Sequence, residues 1–265
     1  MTIFNQELKQ NGYLLLKDVI SKNECIKFVK LLNKHYDNFH KLYSNNETNS
    51  GLSDKSQEKV VYNLHNKDKS WMKLFENRII LDVISPFLKE GSFESDEPFY
   101  LNNISARTPL LGNKGQQIHI DSNLPGVNYM LSVNVMWYFE NSTKKNGATI
   151  IVPDTQTIKK YCPNGYMPKE AIQIEAEPGD VLIFNPNLWH GGGGNFDGSS
   201  RWALVLSYAR WFVKPSFDFF YNTPREIYET WTEAQRQLLG FNLSPPKSEF
   251  VRLRRRTDIS EPPLN

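Results

Sequence analysis

Cysteine is nearly missing from this chain: Cys25 and Cys162 are the two in 265 residues. That excludes a disulfide framework and a Cys-rich zinc site, and it suits a reducing compartment, the cytoplasm. No apolar run approaches the ~20 residues needed to span a bilayer. The start, Met1-Thr2-Ile3-Phe4-Asn5-Gln6, lacks the basic and apolar blocks of a signal peptide. Charge of one sign is not in excess: 31 Lys and Arg stand against 29 Asp and Glu. Such a balance argues for neither a nucleic-acid nor a membrane partner. Repeats and dividing linkers are also lacking. We therefore expect one domain over 1–265, with a helical third (1–96), a β core (97–213) and a helical or irregular tail (214–265).

The pattern changes along the chain. Ile3 to Gln10 reads as a short amphipathic helix and Gly12 to Lys17 as a brief strand. Ser21 and Glu24 make a capping box for the next helix, whose apolar stripe includes Cys25, Phe28, Leu31 and Leu32. Val60 to His65 reads as a strand, and Lys69 to Phe75 and Arg78 to Leu88 as helices. From Phe99 the period becomes two. Strands are expected at Phe99–Arg107, Gln117–Asp121, Tyr129–Phe139, Ala148–Pro153, Ile172–Ala176, Val181–Trp189 and Arg201–Val213, with Asn146-Gly147 as a hairpin turn. Another helix is expected over about 224–239. Short strands with regular turns point to a mainly β fold with flanking helices, a jelly-roll or double-stranded β-helix core of cupin-like form.

Histidine is scarce as well, at five. His35 and His40 lie five apart, off a common helix face, and read as surface residues. His65 reads as a surface residue or a neighbour of the site. His119 and Asp121 are two apart on a strand, so they share a face, while Ile118 and Ile120 point into an apolar layer. His190 ends the apolar run that begins at Val181. Two histidines and a carboxylate form the facial triad of non-haem Fe(II) oxygenases. Arg201 opens an alternating segment with Ala203, Val205 and Ser207 on its own face. An inward-facing arginine needs an anion, which a bound organic acid supplies through a bidentate fork. Tyr62, Asn63, Arg107, Asn123 and Asn128 are candidate substrate residues, Arg107 for an anionic group. Ser44–Tyr62, Thr108–Gly115 and Leu124–Tyr129 are candidate lid segments. The run Arg252 to Arg256 reads as a solvated tail.

These pieces resemble the phytanoyl-CoA dioxygenase family of Fe(II)- and 2-oxoglutarate-dependent oxygenases. The matching motifs are Asn11 to Leu14 with Ser21 to Cys25, His119-Ile120-Asp121, Asn146 to Pro153, Pro178 to Leu182, Trp189-His190 and Arg201. The resemblance implies Fe(II) on His119, Asp121 and His190, 2-oxoglutarate held by Arg201, and O2 as co-substrate. It further assigns Trp137 and Gln117 to the co-substrate's surroundings. Related halogenases replace the carboxylate ligand by Gly or Ala; Asp121 therefore argues for hydroxylation or a related oxidation and against halogenation. The implied reaction oxidises a C–H bond of a small-molecule metabolite and releases succinate and CO2. The rival readings are the same chemistry on a macromolecule, or a non-catalytic metal-binding β-helix that senses a small acid.

Overall fold

The computed structural model describes residues 2–43, 57–92, 99–122 and 124–243. Nine strands form two antiparallel sheets among these residues. The strands are β1 (Tyr13–Leu16), β2 (Glu58–Tyr62), β3 (Phe99–Pro109), β4 (Ser132–Tyr138), β5 (Thr149–Val152), β6 (Ile172–Ile174), β7 (Val181–Phe184), β8 (Trp189–Gly192) and β9 (Ala203–Arg210). The larger sheet runs β1-β7-β4-β9-β3-β2 and the smaller β6-β5-β8. An isolated antiparallel bridge, His119 to His190, adds one more segment to the free edge of β8. The fold is a double-stranded β-helix.

Side-chain alternation divides the core in two. Val133, Val135 and Trp137 of β4 and Leu204, Leu206 and Tyr208 of β9 face the helices, in one large apolar cluster with Phe28, Trp71 and Ile84. Met136 and Tyr138 of β4 and Ala203 of β9 point the other way, toward Ile151, Phe184 and Leu188. A strand covered on both faces reads as a continuous apolar run, and β4 is buried at every position but Ser132. Helix α1 (Ile3–Asn11) is capped by Thr2, and α2 (Lys22–Tyr43) starts at the expected box. In that box Ser21 Oγ accepts from Glu24 N at 3.3 Å, and Glu24 Oε2 accepts from Ser21 N at 3.1 Å. Helices α3 (Met72–Phe75) and α4 (Arg78–Lys89) complete the layer on the large sheet. Buried Arg210 ties α4 down by donating to the carbonyls of Phe87 and Glu90.

Several boundaries differ from the sequence expectation. The stretch Val181 to Trp189 is two strands in different sheets, because Asn185-Pro186-Asn187 breaks it. Asn185 Oδ1 accepts from Asn187 N at 2.9 Å, and Leu188 N donates to Asn185 O. Asn146-Gly147 is a turn but not a hairpin, since β4 pairs with β7 and β9 whereas β5 pairs with β6 and β8. The Gln117–Asp121 strand shrinks to the bridge at His119. The expected helix at about 224–239 is broken into α6 (Arg225–Tyr228) and α7 (Glu233–Leu238), the latter opened by its own Thr232 capping box, and a further short helix, α5 (Phe219–Asn222), precedes them. The side chain of His40 and the run Arg252–Arg256 lie outside the described residues.

Two histidines are not at the surface. His35 is half-buried beside Trp71, with ring centroids 6.4 Å apart. His65 is fully buried, between Phe219 and Trp231. Its Nε2–H donates to Asn222 Oδ1 at 3.1 Å. Burial, with a smaller push from Lys67, lowers the imidazole pKa to about 3. A neutral native imidazole and an unfolded one of pKa about 6.5 make stability depend on pH. The contribution is complete above pH 6.5 and is lost as pH falls toward 3, at about 1.4 kcal/mol per pH unit. Urea unfolding between pH 7 and pH 4 should show this slope, and His65→Gln should flatten it.

Candidate active site

The bridge between the two histidines sets the geometry. His119 N donates to His190 O at 2.8 Å, and His190 N donates to His119 O at 2.9 Å. Opposed residues in such a pair present their side chains to one face, and the rings lie 4.5 Å apart by centroid. Each ring is oriented by its own chain. His119 Nδ1 lies 2.8 Å from Gln117 O, and His190 Nδ1 lies 2.9 Å from Leu188 O. A carbonyl can only accept, so both Nδ1 atoms carry a proton and both Nε2 atoms face the cluster, the orientation a metal requires. Asp121 N donates to Pro186 O, which turns the carboxylate back toward the rings. Its Oδ1 lies 3.5 Å from His119 Nε2 and its Oδ2 3.3 Å from His190 Nε2. The ligand atoms of His119, Asp121 and His190 all fall within 4.8 Å of one another.

Asn134 holds this carboxylate, its Nδ2 donating to Asp121 Oδ2 at 2.6 Å. Burial raises the Asp121 pKa, but the bonds from His119 and His190 outweigh it and hold the carboxyl well below the usual range. The same bond from Asp121 raises the His119 pKa. A close cluster of two imidazoles and an anion has the donor set of a divalent cation site. Glycine eases the close approach of the segment before His119: a Cβ at Gly191 would meet Gln116 O and Gln117 O at 3.2 Å.

The cluster lines a cavity of about 600 Å³. Arg201 lines the same cavity and is buried. Its main-chain N–H donates to Thr108 Oγ1 at 2.9 Å, yet the guanidinium Nε and Nη1 have no partner. Burial lowers its pKa, with Tyr138 and Glu58 acting against that. Thr149 is also in the lining, and its Oγ1 lies 3.0 Å from Tyr138 Oη. A buried guanidinium with free donors beside a hydroxyl is a receptor for a carboxylate.

The phytanoyl-CoA dioxygenase family model matches residues 8–203, about three quarters of the chain. The chain belongs to that family. Among curated proteins it is similar to the dioxygenase af480 of Aspergillus fumigatus, 25% identical over 189 residues, covering 69% of this chain and 58% of that protein. The chain thus spans less than two thirds of that relative's length. It is also similar to the dioxygenase cdmA of Talaromyces verruculosus, 24% identical over 248 residues, covering 88% and 80%. Among solved structures it resembles HygX of Streptomyces hygroscopicus, which holds nickel and 2-oxoglutarate. There the TM-score is 0.62 at 14% identity, over 81% of this chain and 89% of that one.

Within this phytanoyl-CoA dioxygenase fold the other expected site residues are scattered. Arg107 does line the cavity, but its guanidinium is already engaged, 3.4 Å from Glu58 Oε1 and 3.5 Å from the Tyr62 hydroxyl. Trp137 lies elsewhere: its parity on β4 is that of Val133 and Val135, so it sits fully buried among the helices. Asn134 and Met136 take the cavity positions. Gln117 is exposed, because the segment before His119 is not a regular strand. Its neighbour Gln116 lines the cavity, accepting from Gly192 N at 2.9 Å. Tyr62 is half-buried against Phe217 and reaches the cavity only through Arg107. Asn63 adopts a left-handed conformation (φ 53°) outside the lining. Asn128 is exposed and bonds Lys159. Asn123 lies outside the described residues. The sequence did carry one overlooked signal: Asn134 is a polar residue inside the apolar run Val133 to Phe139.

These contacts set a graded expectation for metal binding. Removing a group that orients a ligand costs roughly 10–100-fold in metal affinity. Asn134→Ala should weaken Ni(II) or Co(II) binding by that amount in calorimetric titration, and Asp121→Ala should remove it.

Proposed function

We propose that this chain is an Fe(II)- and 2-oxoglutarate-dependent dioxygenase that hydroxylates a C–H bond of a small molecule. Substrate, 2-oxoglutarate and O2 are consumed, and hydroxylated product, succinate and CO2 are formed. The observation that carries the reading is the shared cavity: a His-Asp-His cluster and a buried guanidinium with unpaired donors line the same space. Each half fits one of the two absent groups. His119, Asp121 and His190 would hold the iron, and Arg201 with Thr149 would hold the distal carboxylate of 2-oxoglutarate. Bound iron supplies the activation of O2 coupled to decarboxylation of the co-substrate.

The chain's residues do the rest. Backbone carbonyls accept from both Nδ1 atoms and so aim both Nε2 atoms at the metal position, and Asn134 fixes the carboxylate. Met136, Phe184 and Val205 form an apolar wall in the cavity, which strengthens the Arg201–carboxylate attraction by excluding water. A cavity of about 600 Å³ suits a small molecule and not a polymer. Asp121 fills the position that a chloride-binding variant would leave free, which favours hydroxylation over halogenation. Succinate formation triggered by a substrate separates this reading from a non-catalytic sensor.

Loss of two charge-assisted hydrogen bonds should cost Arg201→Ala roughly a hundredfold in KM for 2-oxoglutarate, read as succinate formed at saturating iron. An unchanged KM would assign the carboxylate to another residue.

A further inference from the structure

The cavity continues past the metal cluster along the inner face of the large sheet, and its surface there is polar. On β3 the pairing with β9 is irregular between Leu101 and Asn103. A bulge places extra side chains on one face and is common beside active sites. Here Asn102 and Asn103 both line the cavity. Ser105 follows on the same strand, and Ser132, Ser207 and Ser216 add hydroxyls from β4, β9 and the segment after β9. Three of these groups lack a partner although their atoms are buried: Asn102 Oδ1, Asn103 Oδ1 and Ser105 Oγ. Ser105 as a whole is 1% exposed. A native interior pairs its buried polar atoms, so orphans on side chains that line a cavity point to a ligand that brings partners once those side chains turn to meet it.

We propose that the prime substrate is a polyhydroxylated or amino-substituted ring compound of the sugar or cyclitol type, bound through Asn102, Asn103, Ser105 and Ser207. This inference rests on the oxygenase reading and names the substrate class of that same site. The two amide oxygens accept hydrogen bonds, and hydroxyl or amine groups supply them. Ser207 lies beside Asn103 and Asn134 in the sheet register, and Asn134 bonds Asp121, so this polar band sits next to the metal cluster. Leu131, Phe212 and Val213 also line the cavity and suit the C–H face of a ring. A fatty acyl chain or a sterol would bring these three atoms no partner and would forgo about 0.5–1.5 kcal/mol for each bond that a hydroxylated ring makes. Arg107 does not redirect the site toward an anionic substrate, because Glu58 already neutralises it.

The test uses the full chain loaded with Ni(II) and 2-oxoglutarate. Calorimetry reads binding of monosaccharides, disaccharides, cyclitols and aminocyclitols, and of long-chain acyl-CoAs and sterols. Binding should be confined to the hydroxylated set and should weaken roughly tenfold in Asn103→Leu and in Ser207→Ala, each of which removes about one buried hydrogen bond. No binding from the hydroxylated set, tighter binding of acyl-CoA or sterol, or hydroxylated binders that ignore both substitutions would each overturn the proposal. Affinity for 2-oxoglutarate in the same titrations reads the oxygenase assignment separately: its loss in the unaltered chain sinks that reading, and its retention isolates the substrate class.

Discussion

Two backbone hydrogen bonds between His119 and His190 hold the centre of this protein together. They decide the register of the segment before Asp121 against β8, and the side-chain period of a strand is two. A slip of one residue would turn one imidazole to the opposite face and replace it with Ile118 or Ile120. The register is therefore over-determined. Gln116 N donates to Gly192 O, Gln116 Oε1 accepts from Gly192 N, and Asp121 N donates to Pro186 O, at either side of the bridge. On the far face Ile118 and Ile120 pack with Val152 and Trp189, so a slip would also expose an apolar layer. Strand β8 is fixed in turn by β5, whose Ile151 stands opposite His190.

The electrostatics of the site are unbalanced in a directed way. Asp121 has its compensation in place, from two imidazoles and an amide. Arg201 has only the weaker pull of Tyr138 and Glu58, and two of its donors are buried without partners. A buried charge without a partner costs several kcal/mol, and nothing in the packing of β9 demands one, since Ala203 and Val205 follow on the same face. The same position could hold an aliphatic side chain with gain in stability. Keeping an arginine there trades stability for an anion site. Tyr138 and Thr149 keep their hydroxyls paired with each other beside it, so the polarity near the guanidinium is ordered before any anion arrives.

Sequence periodicity anticipated that His119 and Asp121 share a face and that Arg201 points inward, whereas His190 reads as the end of an apolar run; the structure brings His119, Asp121 and His190 together. Periodicity failed where parity was assumed without a strand to enforce it. Gln117 shares parity with His119, but the chain there meets β8 at one bridge only, and Gln117 turns to solvent. Trp137 shows the opposite failure. The strand is regular, and parity with Val133 and Val135 assigns the indole to the helix side; the resemblance placed it in the site against that parity. Continuous apolar runs hide their own breaks. Val181 to Trp189 reads as one apolar run, yet Asn185-Pro186-Asn187 inside it, with Pro186 lacking an N–H to donate, signals that the chain leaves one sheet for the other. His65 was illegible for a different reason: its burial comes from Phe219 and Trp231, more than a hundred residues later.

Register across the large sheet turns sequence into depth within the cavity. Tyr138, Ala203 and Arg107 stand in one row, Met136, Val205 and Ser105 in the next, and Asn134, Ser207 and Asn103 in the third. The first row adjoins Thr149 through the Tyr138 hydroxyl, which is the end that suits the co-substrate's carboxylate. The third row touches the metal cluster through Asn134 and Asp121. Between them the wall is apolar at Met136 and Val205 and carries the Ser105 hydroxyl on its β3 side. Each step of two residues advances a strand by about 6.6 Å, so two steps separate the two polar rows by about 13 Å along the strand. A five-carbon diacid reaching back from the first row toward the metal would lie against Met136 and Val205, and whatever is oxidised would meet Ser105 at the β3 edge and the amide and hydroxyl row. The order polar, apolar, polar along three strands is thus the physical basis for two different ligands in one cavity, and it would vanish if any one of these strands shifted its register by a single residue.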